Sequence, residues 1–131
     1  MGAKALHRII VADDEPDILE ISRIALESLG GYEVGTCRSG AEFFRLLPKF
    51  RPELVILDVM MPDMAGLEIY GALRKMTGFE EVAVVFLTGI VGEEKLEELR
   101  RSGAADVIRK PFDPMTLADR VDVIWSACCE R

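Results

Sequence analysis

The stretch "LVILDVMMPDMAG", residues 54–66, decides how this chain is read. Leu54 to Leu57 and Val59 are apolar and frame a single charge, Asp58. A short apolar run bounded by turn residues suits a strand covered on both faces. A carboxylate at the end of such a run is costly to bury without a partner. The partner has to come from elsewhere in the chain.

Similar runs recur at 8–12 (RIIVA), 32–37 (YEVGTC), 82–87 (VAVVFL) and 106–109 (DVIR). The second is the more polar and suits an edge strand. Helical patterns lie between them. From Pro16 to Leu29, the residues Ile18, Ile21, Ala25 and Leu29 fall on one face, with Pro16 in the first turn and Gly30-Gly31 at the end. Ser39 caps a second helix that reaches Leu47 and stops at Pro48. Leu67, Tyr70 and Leu73 mark a third, ended near Gly78. "EEKLEELRR" is a fourth, ended by Gly103, and its acidic start and basic end match the helix dipole. Leu117, Val121, Ile124 and Cys128 mark a fifth. Five strands and five helices in alternation predict an α/β domain with right-handed crossovers. The pattern alone leaves the strand order open.

Composition narrows the function. The chain has 131 residues, half of them apolar, which suits one domain spanning 1–131 with a core from about 7 to 128. The formal charge of −7 disfavours a nucleic-acid footprint and is compatible with bound cations or a basic partner. No apolar stretch approaches the ~20 residues of a membrane span. The N-terminus lacks a signal-peptide core, and Leu6 stands where a myristoylation pattern needs Ser or Thr. Cys37, Cys128 and Cys129 are odd in number and without CxxC spacing, against a disulfide framework or zinc site. These features predict a cytoplasmic protein that does not engage a membrane.

Polar residues follow the strands. Asp13-Asp14-Glu15 follows the first, Asp58 ends the third, Thr88-Gly89 follows the fourth, and Lys110-Pro111 follows the fifth. In an open parallel sheet these ends share one edge, where ligands bind. Taken alone, each has an ordinary reading. The acidic triplet suits the start of a helix, Asp58 and Asp63 suit turns, Thr88 suits a loop start, and Lys110 suits solvent. Together they make a site. Carboxylates at neighbouring strand ends, ~5 Å apart, repel by roughly 3 kcal/mol per pair. Such a cluster protonates or binds a cation, and hard oxygen ligands suit Mg²⁺. Lys110 adds an ammonium and Thr88 a hydroxyl. That set fits a phosphoryl group on a carboxylate, with the carboxylate as nucleophile.

The chain resembles the receiver domain of two-component response regulators. The resemblance rests on Asp13-Asp14, "LDVMMPDMAG" around Asp58, "LTG" with Thr88 and "KPF" with Lys110, and it extends over nearly the whole chain. It implies a flavodoxin-like (βα)5 fold, doubly wound, with strand order 2-1-3-4-5. It implies that Asp58 accepts phosphate from a sensor histidine kinase or histidine phosphotransfer protein. It implies Mg²⁺, or Mn²⁺ in its place, held by Asp13, Asp14, Asp58 and the backbone carbonyl of Met60. Lys110 would contact the phosphoryl oxygens, across a cis bond to Pro111. Thr88 would turn toward the phosphate and move the fourth helix. The face formed by the fourth helix, fifth strand and fifth helix would then engage an output partner or a second copy of the chain. One position departs from the family: Val107 stands where Tyr or Phe is frequent.

The resemblance implies a phosphoacceptor switch, not an enzyme with an external substrate, and these 131 residues are expected to hold no effector domain, as either a stand-alone regulator or a receiver cut from a longer protein. Two other functions compete with it. A phosphohydrolase with an aspartyl nucleophile usually carries a second Asp two residues on, where this chain has Met60. A binding module that works without phosphorylation does not need all five acceptor-site residues. His7 has no partner spacing and no assigned role. Met60, Met61 and Met64 are read as space-filling, and Trp125 as a core or helix-face aromatic.

Overall fold

The computed structural model describes residues 5–89 and 92–128. Its elements alternate as β1 (Arg8–Ala12), α1 (Pro16–Gly30), β2 (Glu33–Cys37), α2 (Gly40–Phe50), β3 (Leu54–Asp58), α3 (Gly66–Arg74), β4 (Ala83–Thr88), α4 (Glu93–Arg101), β5 (Asp106–Arg109) and α5 (Pro114–Cys128). The strands form one parallel sheet in the order β2-β1-β3-β4-β5. This is the flavodoxin-like arrangement the resemblance implies. The chain reverses direction across the sheet between β1 and β3, which opens a crevice at their C-terminal ends.

The apolar strands dictate two cores. Ile9, Val11, Leu54, Ile56, Val85, Leu87 and Ile108 face α1 and α5, where they meet Leu26, Leu117, Val121 and Trp125. Ile10, Ala12, Val55, Leu57, Val84 and Phe86 face the other way, against Phe43 and Leu47 of α2, Ile69 and Leu73 of α3, and Leu99 of α4. Side chains alternate across a strand, so a run buried on both faces must be continuously apolar. All of β3 and β4 is buried in this way. The more polar β2 lies at an edge.

Several boundaries and faces differ from those the sequence predicts. Helix α2 continues past Pro48 to Phe50. A proline removes one backbone donor, but only the last turn remains here. That turn is closed when the Arg51 N–H donates to the Leu47 carbonyl at 3.0 Å, with Arg51 in the left-handed region at φ 54°. Helix α3 stops at Arg74, a turn before Gly78. Thr88 is the last residue of β4, not the first of the loop, and Val82 lies outside that strand. The buried residues of α1 are Leu19, Ser22, Ala25 and Leu26. Ile21 and Leu29, expected inside, are exposed, and with Ile24, Pro114 and Met115 they line an apolar groove. Trp125 and Met61 are buried, whereas Met60 is exposed. Cys37 is free and buried, and its thiol is pushed up to about 12 by burial and then by the charge of Glu42. Cys128 is disulfide-bonded. Cys129 and the initial Met-Gly lie outside the described residues.

Asp63 is more than a turn residue. Its two carboxylate oxygens accept the Gly40 N–H at 2.8 Å and the Ala41 N–H at 2.9 Å, at the N-terminus of α2. These bonds satisfy helix donors that have no internal partner, in addition to the cap from Ser39 to Glu42 N–H. They also hold the Asp63 carboxyl below its ordinary value. Because the folded state prefers the charged form, its stabilisation is present above the ordinary value of 3.8 and lost as pH falls. Asp63→Ala should therefore lower the thermal unfolding midpoint at pH 7. The gap to the parent protein should narrow as the melts are repeated below pH 3.8.

Candidate functional site

The sheet register places the polar residues. Ala12 pairs with Leu57, so Asp13 and Asp58 are the next residues of adjacent strands. Asp58 pairs with Leu87 and Thr88 with Arg109, so Thr88 and Lys110 each lie one step further along. By the alternation of side chains, Asp13, Asp58 and Lys110 share the parity of the α1/α5 face. Thr88 shares that of Phe86 and Val107 on the opposite face.

That parity explains who meets whom. Carboxylate oxygens of Asp13, Asp14 and Asp58 lie within 4.8 Å of one another. Lys110 Nζ pairs with Asp13 Oδ2 at 2.8 Å and Glu15 Oε2 at 3.1 Å, and lies 3.7 Å from Asp58 Oδ2. Asp13 and Asp58 are buried. Asp13 Oδ1 accepts the Glu15 N–H at 2.9 Å, which fixes the turn into α1. Asp58 Oδ1 accepts a long bond, 3.4 Å, from the Met60 N–H. Thr88 is buried, and its hydroxyl has no hydrogen-bond partner among the described residues. Its carbonyl accepts the Lys110 N–H at 2.7 Å, tying the two strand ends together through backbone. The Lys110–Pro111 bond is cis, as the resemblance implies.

The loop that carries Asp58 is anchored on both sides. The Val59 N–H donates to the Leu87 carbonyl at 3.1 Å, and the Gly66 N–H donates to the Val59 carbonyl at 2.7 Å. A Cβ on residue 66 would stand 2.7 Å from the Asp58 carbonyl oxygen and 3.1 Å from Val59 Cα. Gly66 is thus required by close approach of α3 to the end of β3.

A domain-family model described as "Response regulator receiver domain" matches residues 9–122. The chain belongs to this family. It is 36% identical over 117 residues to an uncharacterised 14.6 kDa protein of Leptolyngbya boryana, covering 89% of this chain and 88% of that one. It is 34% identical over 115 residues to the DNA-binding response regulator MtrA of Mycolicibacterium smegmatis, covering 88% of this chain and 49% of that protein. It therefore spans about half the length of that DNA-binding relative. The solved structure of the chemotaxis response regulator CheY4 of Vibrio cholerae superposes with a TM-score of 0.82 at 30% identity, covering 92% of this chain and 99% of that one. Receiver domains are the phosphoacceptor switches of two-component signal transduction, and this chain is a member of that class.

As a receiver site, the cluster is short of positive charge. Asp13, Glu15 and Asp58 lie around Lys110, and Asp14 adds a further carboxylate beside Asp13 and Asp58. The Asp58 carboxyl is pushed up to about 7, first by burial and then by the charge of Asp13, against the pull of Lys110 and the Met60 N–H. Burial acts against the Lys110 ammonium, but bonds to Asp13 and Glu15 raise its pKa on balance. Hard carboxylate oxygens, crowded and partly buried, fit a divalent cation such as Mg²⁺.

Of the residues singled out for the site, Asp13, Asp14, Asp58 and Lys110 come together, and Thr88 is joined to Lys110 through backbone. The sequence left Glu15 without a role, yet it pairs with Lys110. No local signal reveals that, because the two are 95 residues apart.

The raised Asp58 value has a stability consequence in the metal-free protein. The folded state prefers the protonated acid, so this group's favourable contribution is full below 3.8 and is lost as pH rises through about 7. Asp58→Asn removes the charge that burial and Asp13 oppose. Metal-free Asp58→Asn should melt about 3–6 °C above the parent protein at pH 8, from ~1–2 kcal/mol of relieved repulsion. The gap should narrow as pH falls and close only near or below pH 3.8, where Asp58 is protonated in both folded and unfolded chains.

Proposed function

We propose that Asp58 is the phosphoacceptor of this receiver and that the other four strand-end residues serve it. The observation that carries the reading is a buried carboxylate with a half-buried ammonium 3.7 Å away and two further carboxylates within 4.8 Å. An Asp58 oxygen attacks the phosphorus of a phosphohistidine. The P–N bond breaks, its electron pair stays with the imidazole nitrogen, and an aspartyl phosphate forms. The donor is a sensor histidine kinase or a histidine phosphotransfer protein.

Asp13, Asp14 and Asp58, with the backbone carbonyl of Met60, would hold Mg²⁺ or Mn²⁺. When bound, the ion would neutralise charge on the phosphoryl oxygens. Lys110 gives a second positive charge to the same oxygens, and its ties to Asp13 and Glu15 keep it charged. Thr88 is the sensor: its buried hydroxyl has no partner among the described residues, and a phosphoryl oxygen would supply one. A move of Thr88 biases the adjoining loop and α4 between two arrangements. The surface of α4, β5 and α5 is the output face, toward an effector or a second copy of the chain. DNA binding belongs to the relative described as such, and is not assigned to this chain.

We read residues 1–131 as a single receiver unit working in the cytoplasm. Among the described residues, no helix is long and apolar enough to cross a membrane.

With a small phosphodonor and Mg²⁺, Asp58→Ala should carry no label, as read by intact mass and by mapping the acyl phosphate. Label that survives on another residue would overturn the assignment. Lys110→Ala should still bind Mg²⁺ yet label at least about tenfold more slowly, since a charge-assisted contact is worth ~1.5–3 kcal/mol. If a partner binds Asp58→Ala as tightly as the phosphorylated parent, the module works without phosphorylation.

A further inference from the structure

We propose that Glu15 is a positioning residue that holds the Lys110 ammonium off Asp58 until a phosphoryl group arrives, and so slows phosphorylation without changing its reversal. This rests on Asp58 being the acceptor.

Glu15 occupies the N-cap of α1, with extended backbone. Its carbonyl accepts the Ile18 and Leu19 N–H groups, and its own N–H is held by Asp13. An N-cap side chain ordinarily bonds the free N–H groups of the first turn. Glu15 makes no such bond. Its carboxylate reaches instead across 95 residues of sequence to Lys110. Backbone bonds fix where the residue sits, and the Lys110 contact occupies its side chain.

The distances give the contact a direction. Lys110 Nζ is 2.8 Å from Asp13 and 3.1 Å from Glu15, both at the β1 end, but 3.7 Å from Asp58. The lysine side chain is largely covered, at 14% exposure, so its ammonium has few places to go. Glu15 is the partner that draws it toward β1, away from the acceptor. The Glu15 side chain is 61% exposed. An ion pair open to water is weak, and this one can be broken within the lifetime of an encounter.

The kinetic consequence follows from which states contain the pair. In the resting protein, Lys110 is shared with Glu15. In the transition state for phosphorylation, the ammonium must turn to the phosphoryl oxygens, and the Glu15 contact is lost. Only phosphorylation therefore carries the cost of breaking it. In the aspartyl phosphate, Lys110 is already on the phosphoryl group, and it stays there as the phosphate is lost. The Glu15 contact is then absent from both states and cancels.

The test uses the full chain with acetyl phosphate at saturating Mg²⁺. Asp58 oxygen attacks phosphorus, the P–O bond to acetate breaks, and acetate leaves with the electron pair. Phosphorylation and dephosphorylation rates are measured separately for the parent, Glu15→Gln and Glu15→Ala. Asp17→Asn, which removes a nearby charge in the same helix turn, is the field control. Mass mapping locates the label. Glu15→Gln and Glu15→Ala should phosphorylate about two- to fivefold faster than the parent, the scale of an exposed ion pair. Their dephosphorylation rates, and those of Asp17→Asn in both directions, should stay within about a factor of 1.5 of the parent. Unchanged or slower phosphorylation in both Glu15 variants overturns the proposal, as does an equal gain in Asp17→Asn. A matching gain in dephosphorylation also overturns it. Absence of label from Asp58 in the parent means that the acceptor assignment itself has failed. Label on Asp58 with no effect at Glu15 leaves that assignment intact and removes only the latch.

Discussion

Negative charge gathered at the ends of β1 and β3, against the single ammonium of Lys110, is the constraint on which the rest of the site depends. The sheet register creates it, because Asp13 and Asp58 each follow the paired rung of Ala12 and Leu57. Burial then makes it severe, since both residues are covered. Repulsion between close carboxylates in a partly dry crevice is worth several kcal/mol, and neither helix dipole nor turn geometry offsets it fully. The folded chain therefore holds a site that favours positive charge: a proton on Asp58, a divalent cation, or Lys110 drawn inward. The same electrostatic demand that raises the Asp58 carboxyl also favours charge neutralisation when a phosphoryl group arrives.

The remainder of the fold can be understood as what fixes that edge. Two cores, one on each face, lock β3 and β4 so completely that no residue of either strand is exposed. Backbone bonds from Val59 to Leu87 and from Gly66 to Val59 then tie down the loop that follows Asp58. Asp63, from the same loop, holds the start of α2. A loop with so many backbone ties has little freedom to separate its charges.

Features set by local pattern were legible in the sequence, and features set by long-range pairing were not. Strands β1, β3 and β5 fall at the predicted bounds; in β1 and β3 the run is set by burial on both faces, whereas β5 is buried only at Ile108 and is bounded by exposed Asp106 and Arg109. Asp13, Asp14, Asp58, Thr88 and Lys110 were legible as a set because each follows or ends a strand of a parallel sheet. The inner face of α1 was misplaced. Ile21 and Leu29 fit a helical stripe as well as Leu19 and Leu26 do, and only the packing of α1 against both the sheet and α5 selects between them. Pro48 was read as a stop because proline lacks a donor, but a helix one turn from its end loses little by that. Asp63 was read as a turn residue and Glu15 as part of a helix start, because their actual partners, Gly40, Ala41 and Lys110, are distant in sequence.

Val107 bears on how the site is read out. The register sets Val107 beside Phe86 on the face that also carries Thr88. Tyr70 of α3 already covers that face, its ring edge-on to Phe86 with centroids 5.9 Å apart. Its hydroxyl reaches the turn after α4, where a Cβ on Gly103 would stand 2.6 Å away. Gly103 is also at φ 100°, so the turn is open to Tyr70 for two independent reasons. The aromatic beside the Thr88 face is therefore supplied by α3 rather than β5. A ring fixed between Phe86 and Gly103 is poorly placed to rotate with Thr88. It is well placed to carry a displacement of the β4 end into the turn that sets the position of α4.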